Sequence, residues 1–352
     1  MRFIVGADNP GGANAVLPVV KQLMRGDDEI VMALGGKARD IFKDAKIEYI
    51  DEVAIGRDRL GAILNIKSTD IFLFGTSLGG TIEKYLLPLF KAQGAKTVCV
   101  LDSWVNYWQR FDQESDINLL PDYICVMDAR AKNEMEREGF PSERLIITGN
   151  PFFDDFVDGI TADREDRNRV LVVSQPLREA QKHGVAFPYD EYMVMEHIAR
   201  VFNELKLPHD VKVAVRLHPR DEENKFNALF ASQTNQLFFY DTIPDVKESI
   251  SQSGLIIGMN SMVLFQAAVA GKTVISYQPG FIGTDSLVSN GYGLSLLITT
   301  ADGLREAVSK YFTAPVDKQS SEITAEGRQF VNDIKNKTAT NKVVQFLNQI
   351  KS

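Results

Sequence analysis

The chain has 352 residues, 44% hydrophobic and 24% charged, enough for two cores of ordinary size. Its formal net charge of −8 argues against nucleic acid as a partner, because phosphate backbones need a basic field; one phosphorylated small ligand in a local pocket remains compatible. Cys99 and Cys125 are the only cysteines and both sit in apolar runs, so neither a disulfide framework nor a cysteine metal site is expected. No apolar stretch reaches the roughly 18–20 residues of a membrane span. "MRFIVGADNPGG" starts as a strand rather than a signal peptide, which makes the cytoplasm the expected location.

Along the first half run RFIVGA, EIVMAL, DIFLFG, KTVCVLD, YICVMD and LIITG; along the second, RVLVVSQ, VKVAVRLH, LFFYD, GLIIG and KTVISY. Continuous apolar runs separated by helical patterns predict parallel strands covered on both faces. Repeated βαβ units of this kind build doubly wound α/β sheets. The pattern breaks after TGNPFFDDFVD, where GITADREDRNR is polar and reads as a linker; the next strand is expected from Arg169. The predicted division is residues 1–155, residues 166–330 and a C-terminal helix over residues 331–352. Asp154 and Asp155, beside the linker, read as a turn cap.

Ligands of such sheets bind beyond the carboxyl ends of the strands. The loops 8–14, 76–80, 102–106, 149–151, 174–176, 218–220 and 258–261 are therefore the candidates, and two domains facing each other across these edges would enclose a cleft. They contribute Gly11, Gly12, Asn14, Thr76, Ser77, Asn150, Ser174 and Gln175 as candidate substrate contacts. In GMNSM, a helix starts directly after a strand, leaving unpaired N–H groups and a partial positive charge. Asn260 or Ser261 caps those donors, or the donors hold a phosphate; Gly258 would let a ligand approach the backbone. Met262 begins the same helix. Gln266 interrupts its apolar run and needs partners if buried. In VRLHPRD, His218 follows a strand, with Arg216 and Arg220 beside it. Such a histidine donates to a phosphate and gains positive character there, or bonds a nearby carbonyl. DNPGGANAV lacks the spacing of a dinucleotide fingerprint and the P-loop lysine. In LDSWVNYWQRF, Trp104, Asn106 and Arg110 suit a polyol or an internal packing role. Asp102 and Asp8, expected on neighbouring strand ends, are the best-placed carboxylates for a general base, with Asp102 preferred.

VRLHP, followed further on by GMNSMVLFQAAVAGKTVISYQPG, resembles the C-terminal domain of GT-B glycosyltransferases, in particular the group that includes CDP-glycerol glycerophosphotransferases and surface-polysaccharide transferases. LPDYICVMDARAKNEMEREGFPSERLIITGNPFFDDF is similar to the end of a GT-B N-terminal domain. The resemblance implies a metal-independent transferase without a cofactor, moving a glycosyl or glycerophosphoryl group from a nucleotide-sugar or CDP-polyol donor to a glycan or lipid-linked acceptor. It implies peripheral contact with the inner face of the membrane, and a last helix that packs back on the first domain. His218 and the Asn260–Ser261 helix start would contact the donor phosphates, and Gln266 stands where many members carry a ribose-binding glutamate. Asp102 or Asp8 would take the acceptor proton, and domain closure would exclude water. Two alternatives share the fold: a hydrolysing UDP-N-acetylglucosamine 2-epimerase, whose acidic clusters are not evident in the sequence, and a non-catalytic nucleotide-sugar binding protein.

Overall fold

The structure, a computed structural model, describes residues 1–79, 81–111, 115–161, 165–182, 186–232, 236–283, 285–313 and 323–351. Gly80 of the 76–80 loop and residues 162–164 of the linker lie outside them. The chain divides into two compact units, Met1–Phe156 with Phe330–Ser352, and Val157–Gln329.

Unit 1 runs β1 (Arg2–Ala7), α1 (Pro10–Leu23), β2 (Glu29–Leu34), α2 (Ala38–Asp44), β3 (Ile50–Asp51), α3 (Glu52–Ile55), α4 (Arg57–Leu64), β4 (Ile71–Gly75), α5 (Ile82–Ala92), β5 (Lys96–Val100), β6 (Tyr123–Val126), α6 (Ala129–Arg137) and β7 (Leu145–Ile147). Its seven strands are parallel in the order β3-β2-β1-β4-β5-β6-β7. Alternation along each strand feeds two cores. Phe3, Val5, Ile71 and Leu73 join α1 on one face, while Ile4, Phe72 and Phe74 join α5 on the other. Pro10 opens α1 at a position where its missing N–H costs nothing.

Unit 2 runs β8 (Asp166–Val173), α7 (Leu177–Lys182), α8 (Glu191–Glu204), β9 (Lys212–Arg216), α9 (Asn227–Ala231), β10 (Phe238–Tyr240), α10 (Val246–Gln252), β11 (Ser253–Gly258), α11 (Met262–Val269), β12 (Thr273–Tyr277), α12 (Val288–Gly291), β13 (Leu296–Ile298) and α13 (Ala301–Thr313). The six strands are parallel in the order β10-β9-β8-β11-β12-β13. β8 begins at Asp166, three residues before the expected start, because its charged residues have partners: Arg167 donates to Tyr311 O, and Arg169 to Ser253 Oγ and the Asp241 carboxylate.

Two helices follow, α14 (Ala325–Lys335) and α15 (Ala339–Ile350). Val343, Leu347 and Ile350 of α15 are buried in the unit 1 core with β1 and α1. Asp154 caps α15 rather than a local turn. Its Oδ1 accepts from the Ala339 N–H (3.0 Å) and its Oδ2 from the Thr340 N–H (2.8 Å), while Asp155 pairs with Lys337. Among the described residues, no helix is long and apolar enough to cross a membrane.

Candidate functional site

Each sheet reverses its strand order once, between β1 and β4 in unit 1 and between β8 and β11 in unit 2. Loops at such a switch point diverge and leave a crevice at the carboxyl ends of the strands. Most of the candidate residues gather at these two places.

In unit 1 the loop after β1 is fastened to the loop after β4. The Asn9 N–H donates to Ser77 Oγ (3.2 Å), and Asn9 Nδ2 to Leu78 O (3.4 Å). The glycines are needed for packing. A Cβ on Gly12 would stand 2.5 Å from Thr76 O, one on Gly75 would overlap the Gly12 carbonyl, and one on Gly11 would overlap the Asp102 carboxylate. Asp102 is thus built into the wall of the crevice. Its Oδ1 accepts from Thr76 Oγ1 (2.6 Å) and from Arg110 Nη1 (2.5 Å), and Arg110 is 7% exposed. Asp8 and Asp102 are not on neighbouring strand ends as expected, because β4 lies between β1 and β5.

Asp8 sits in a different setting. Gly35 and Gly36 leave room for its carboxylate, and a Cβ on Gly35 would also meet Glu52 Oε1 at 2.8 Å. Burial raises the Asp8 pKa, the Ile82 N–H opposes this, and Glu52 raises it further. Glu52 itself is held by Arg57 through Oε1 (2.9 Å) and Oε2 (3.1 Å). Glu83, in the first turn of α5, is 1% exposed, and among the described residues neither of its oxygens makes a full hydrogen bond. Burial pushes its pKa up to about 7, opposed by the neighbouring Ser77 hydroxyl, its own N–H and the Thr81 hydroxyl. The sequence reading missed Glu52, Arg57 and Glu83. An acid in a first helical turn looks like an ordinary partner of the helix dipole, and nothing in its neighbours announces burial.

The remaining unit 1 candidates are dispersed. Trp104 donates its indole N–H to Asp128 (2.7 Å) and stacks on Phe153, so it packs within the unit. Asn106 is exposed in a left-handed conformation (φ 59°). Asn14 is half-buried on α1. Asn150 follows the edge strand β7 and caps the short turn after it, accepting from the Phe152 N–H (3.0 Å).

In unit 2, Gln175 and Asn260 pair across the switch point. Gln175 Nε2 donates to Asn260 Oδ1 and the Asn260 N–H to Gln175 Oε1, both at 2.9 Å. Asn260 Nδ2 also donates to Ser286 Oγ (3.3 Å). Ser261 is the N-cap of α11, accepting from the Leu264 N–H (3.3 Å), and Met262 is exposed in the first turn. Gly258 serves packing rather than ligand approach: a Cβ there would meet Leu264 Cδ1 at 2.6 Å and Val173 O at 3.0 Å. Gln266 is 7% exposed and offers little surface to a ribose.

His218 follows β9. Its Nδ1 accepts from the Arg220 N–H (3.2 Å), which leaves the proton on Nε2. Burial lowers its pKa and the Arg220 charge lowers it further, so its own surroundings favour the neutral ring over the expected cation. Ser174 is 3% exposed and donates to Asp221. Arg220 is exposed and pairs with Glu179 (3.4 Å). Arg216 does not join the group. Its guanidinium is committed to Asp241 (2.8 Å), Ile243 O and Pro244 O, bracing the segment after β10. Among the described residues, no set of three or more His, Cys, Asp and Glu side chains is gathered for a metal ion.

No family model and no curated protein matches the chain. Among solved structures it is similar to the UDP-GlcNAc 2-epimerase from Methanocaldococcus jannaschii, with TM-score 0.66, 12% identity and coverage of 99% of this chain and 100% of that one. It is also similar to the UDP-GlcNAc 2-epimerase from Neisseria meningitidis bound to UDP-GlcNAc, with TM-score 0.64, 14% identity and coverage of 99% and 100%. MurG from Acinetobacter baumannii aligns with TM-score 0.56, 15% identity and coverage of 99% of each chain. At these identities the likeness speaks for the fold: two parallel-sheet α/β units of the GT-B type.

Proposed function

We propose that the protein is an enzyme acting on a nucleotide-activated sugar, held by its diphosphate at the unit 2 switch point. The observation that carries this reading is the gathering at the carboxyl ends of β8, β9 and β11 of the α11 N-terminus, the Gln175–Asn260 pair and the His218 turn, which Asp221 ties to the loop after β8 through Ser174. Neutral donors and a helix dipole suit a diphosphate leaving group without a metal ion. Two solved structures of the same fold carry UDP-GlcNAc or UDP in their complexes, which favours a UDP-sugar over a CDP-polyol as donor.

The reaction we propose is glycosyl transfer to an acceptor hydroxyl in glycan synthesis. The hydroxyl oxygen bonds to the anomeric carbon, the bond from that carbon to the diphosphate breaks with its electron pair leaving on the nucleotide, and Asp8 takes the hydroxyl proton. Asp8 suits the role better than Asp102, because burial raises its pKa toward the working range of a base, whereas Asp102 is engaged in holding Arg110 and Thr76. The site residues, like the acceptor, belong to the proposal.

One observation favours a second reading, 2-epimerisation. It requires a base to take the C2 proton while the C1–diphosphate bond breaks and a C1=C2 double bond forms, and a proton then to reach the opposite face of C2 as diphosphate or water adds at C1; Asp8, with Glu52 and Glu83 near it, supplies the acidic groups such chemistry needs. Incubation with UDP-, CDP- and GDP-activated donors in D2O, with and without polyol or glycan acceptors, separates the readings. Transfer releases nucleotide only when acceptor is present. Epimerisation incorporates deuterium at C2 without acceptor. Binding with neither outcome leaves a nucleotide-sugar binding protein and refutes both reactions.

A further inference from the structure

Asp221 lies where the segment after β9 turns back on itself. Its N–H donates to His218 O (2.8 Å) and its Oδ2 accepts from the His218 N–H (3.0 Å), so the turn is closed in both directions. The same Oδ2 accepts from Ser174 Oγ (3.0 Å), which ties the loop after β8 to the loop after β9. Oδ1 accepts from Lys225 Nζ (2.6 Å), and Lys225 also pairs with Glu191 Oε1 (2.8 Å). The three charged side chains, Asp221, Lys225 and Glu191, are only 2%, 7% and 3% exposed. A buried ionic triad is weak evidence for stability, since apolar residues of similar volume hold a fold as well. Here the buried carboxylate has a more particular task, because its donors tie the loop after β9 to the loop after β8, which lies at the switch point.

The Arg220 N–H that holds His218 Nδ1 lies inside the turn that Asp221 closes. An imidazole whose Nδ1 accepts a hydrogen bond keeps its proton on Nε2 and presents one N–H donor. We propose that Asp221 is a positioning residue that fixes His218 as the neutral Nε2–H tautomer, aimed at an anionic oxygen of the diphosphate. The proposal rests on the reading of unit 2 as the nucleotide-binding unit. Without the carboxylate, the His218 N–H loses its acceptor, the turn relaxes, the Arg220 N–H leaves Nδ1 and the ring divides between its two tautomers. The charged groups around the ring are Arg220 and Asp221 from its own turn, Glu179 from α7 and Lys225 beyond the turn; none of them bonds to Nδ1 in place of the Arg220 N–H.

The test uses the full chain labelled with 15N and two-bond 1H–15N spectra of the imidazoles at about pH 8. His218 is identified by the resonance lost in His218→Asn. The wild type is expected to show an acceptor-type Nδ1 and a protonated Nε2, and Asp221→Ala, which removes the acceptor of the His218 N–H, to move both resonances toward their average. Titration calorimetry with UDP then reads the consequence, an affinity about tenfold weaker in Asp221→Ala, the size of one lost hydrogen bond. If Asp221→Ala lacks the native circular dichroism, Asp221→Glu keeps the charge beside Lys225, displaces the acceptor and is expected to give the same averaging. A folded variant with wild-type tautomer resonances overturns the proposal, and so does averaging with unchanged UDP affinity. Failure of the wild type to bind UDP, CDP or GDP overturns the nucleotide reading of unit 2 instead, and the tautomer spectra then judge the role of Asp221 alone.

Discussion

Glu83 carries the clearest electrostatic signature in the molecule. In an unfolded chain its carboxyl would titrate near 4.5, whereas burial in the folded protein pushes it to about 7. A folded-state pKa above the unfolded one contributes stability that is complete below about 4.5 and is lost as pH rises through 7. The gap corresponds to about 3 kcal/mol. Glu83→Gln should remove this dependence, so the stability of the wild type relative to the variant should fall by about that amount between pH 5 and pH 8. Urea unfolding at both pH values measures it, and a difference that stays constant would mean that Glu83 does not titrate in this window. The two aspartates are expected to separate in kind. Asp8→Asn should fold normally and lose about 100-fold or more in turnover, as expected for a lost general base. Asp102→Asn should instead lower stability by about 3 kcal/mol, since it leaves the buried Arg110 guanidinium without its carboxylate. Denaturation curves beside turnover measurements distinguish the two.

At the scale of elements, the glycines divide by what their missing side chains would touch. A methyl group on Gly12 meets a backbone carbonyl and adjoining backbone atoms, none of which can move alone. On Gly258 the nearest atom is the tip of a leucine, and the one close backbone atom, Val173 O, stands farther off at 3.0 Å. Gly12→Ala should therefore cost more than Gly258→Ala, roughly 3 against 1 kcal/mol within the usual range for overpacking, and thermal unfolding of the two variants gives the order. Asp154→Ala removes the acceptor for two N–H groups at the start of α15 and should cost about 1–2 kcal/mol. Strands buried on both faces, such as FIVGA and LIIG, were legible because burial leaves an unbroken apolar run. β3 has only two residues, and β13, at the edge of its sheet, has Leu296 and Leu297 exposed; neither supplies such a run. The candidate loops were legible for the same topological reason as the strands that precede them. The function of each side chain was not. Arg216 and Asp241 meet only when β9 and β10 are laid side by side, and the Asp102–Thr76–Arg110 contact needs β4 and β5 in register. Spacing along the chain carries no trace of these meetings.

At the scale of the whole molecule, the C-terminal segment belongs energetically to the first unit. Val343, Leu347 and Ile350 fill the face of the unit 1 core that also holds α1. Deleting residues 330–352 should therefore unfold or aggregate unit 1 while unit 2 keeps a cooperative transition. Calorimetry of the shortened chain should show one transition near the unit 2 temperature; two unchanged transitions would show that α15 is dispensable.

The return of the chain to unit 1 at Phe330 also sets an order of assembly during synthesis. A ribosome makes residues 1–156, then all of unit 2, and only afterwards the helix that closes the first core. At about 5–20 residues per second this interval lasts roughly 10–35 s. Throughout it, the nascent first unit presents to its surroundings an apolar trough along α1 that its own sequence will cover later. Unit 2, an uninterrupted stretch, can complete itself as soon as it emerges. The domain translated first is thus the one finished last, and the period in which a chaperone or a protease would meet it is written into the position of α15.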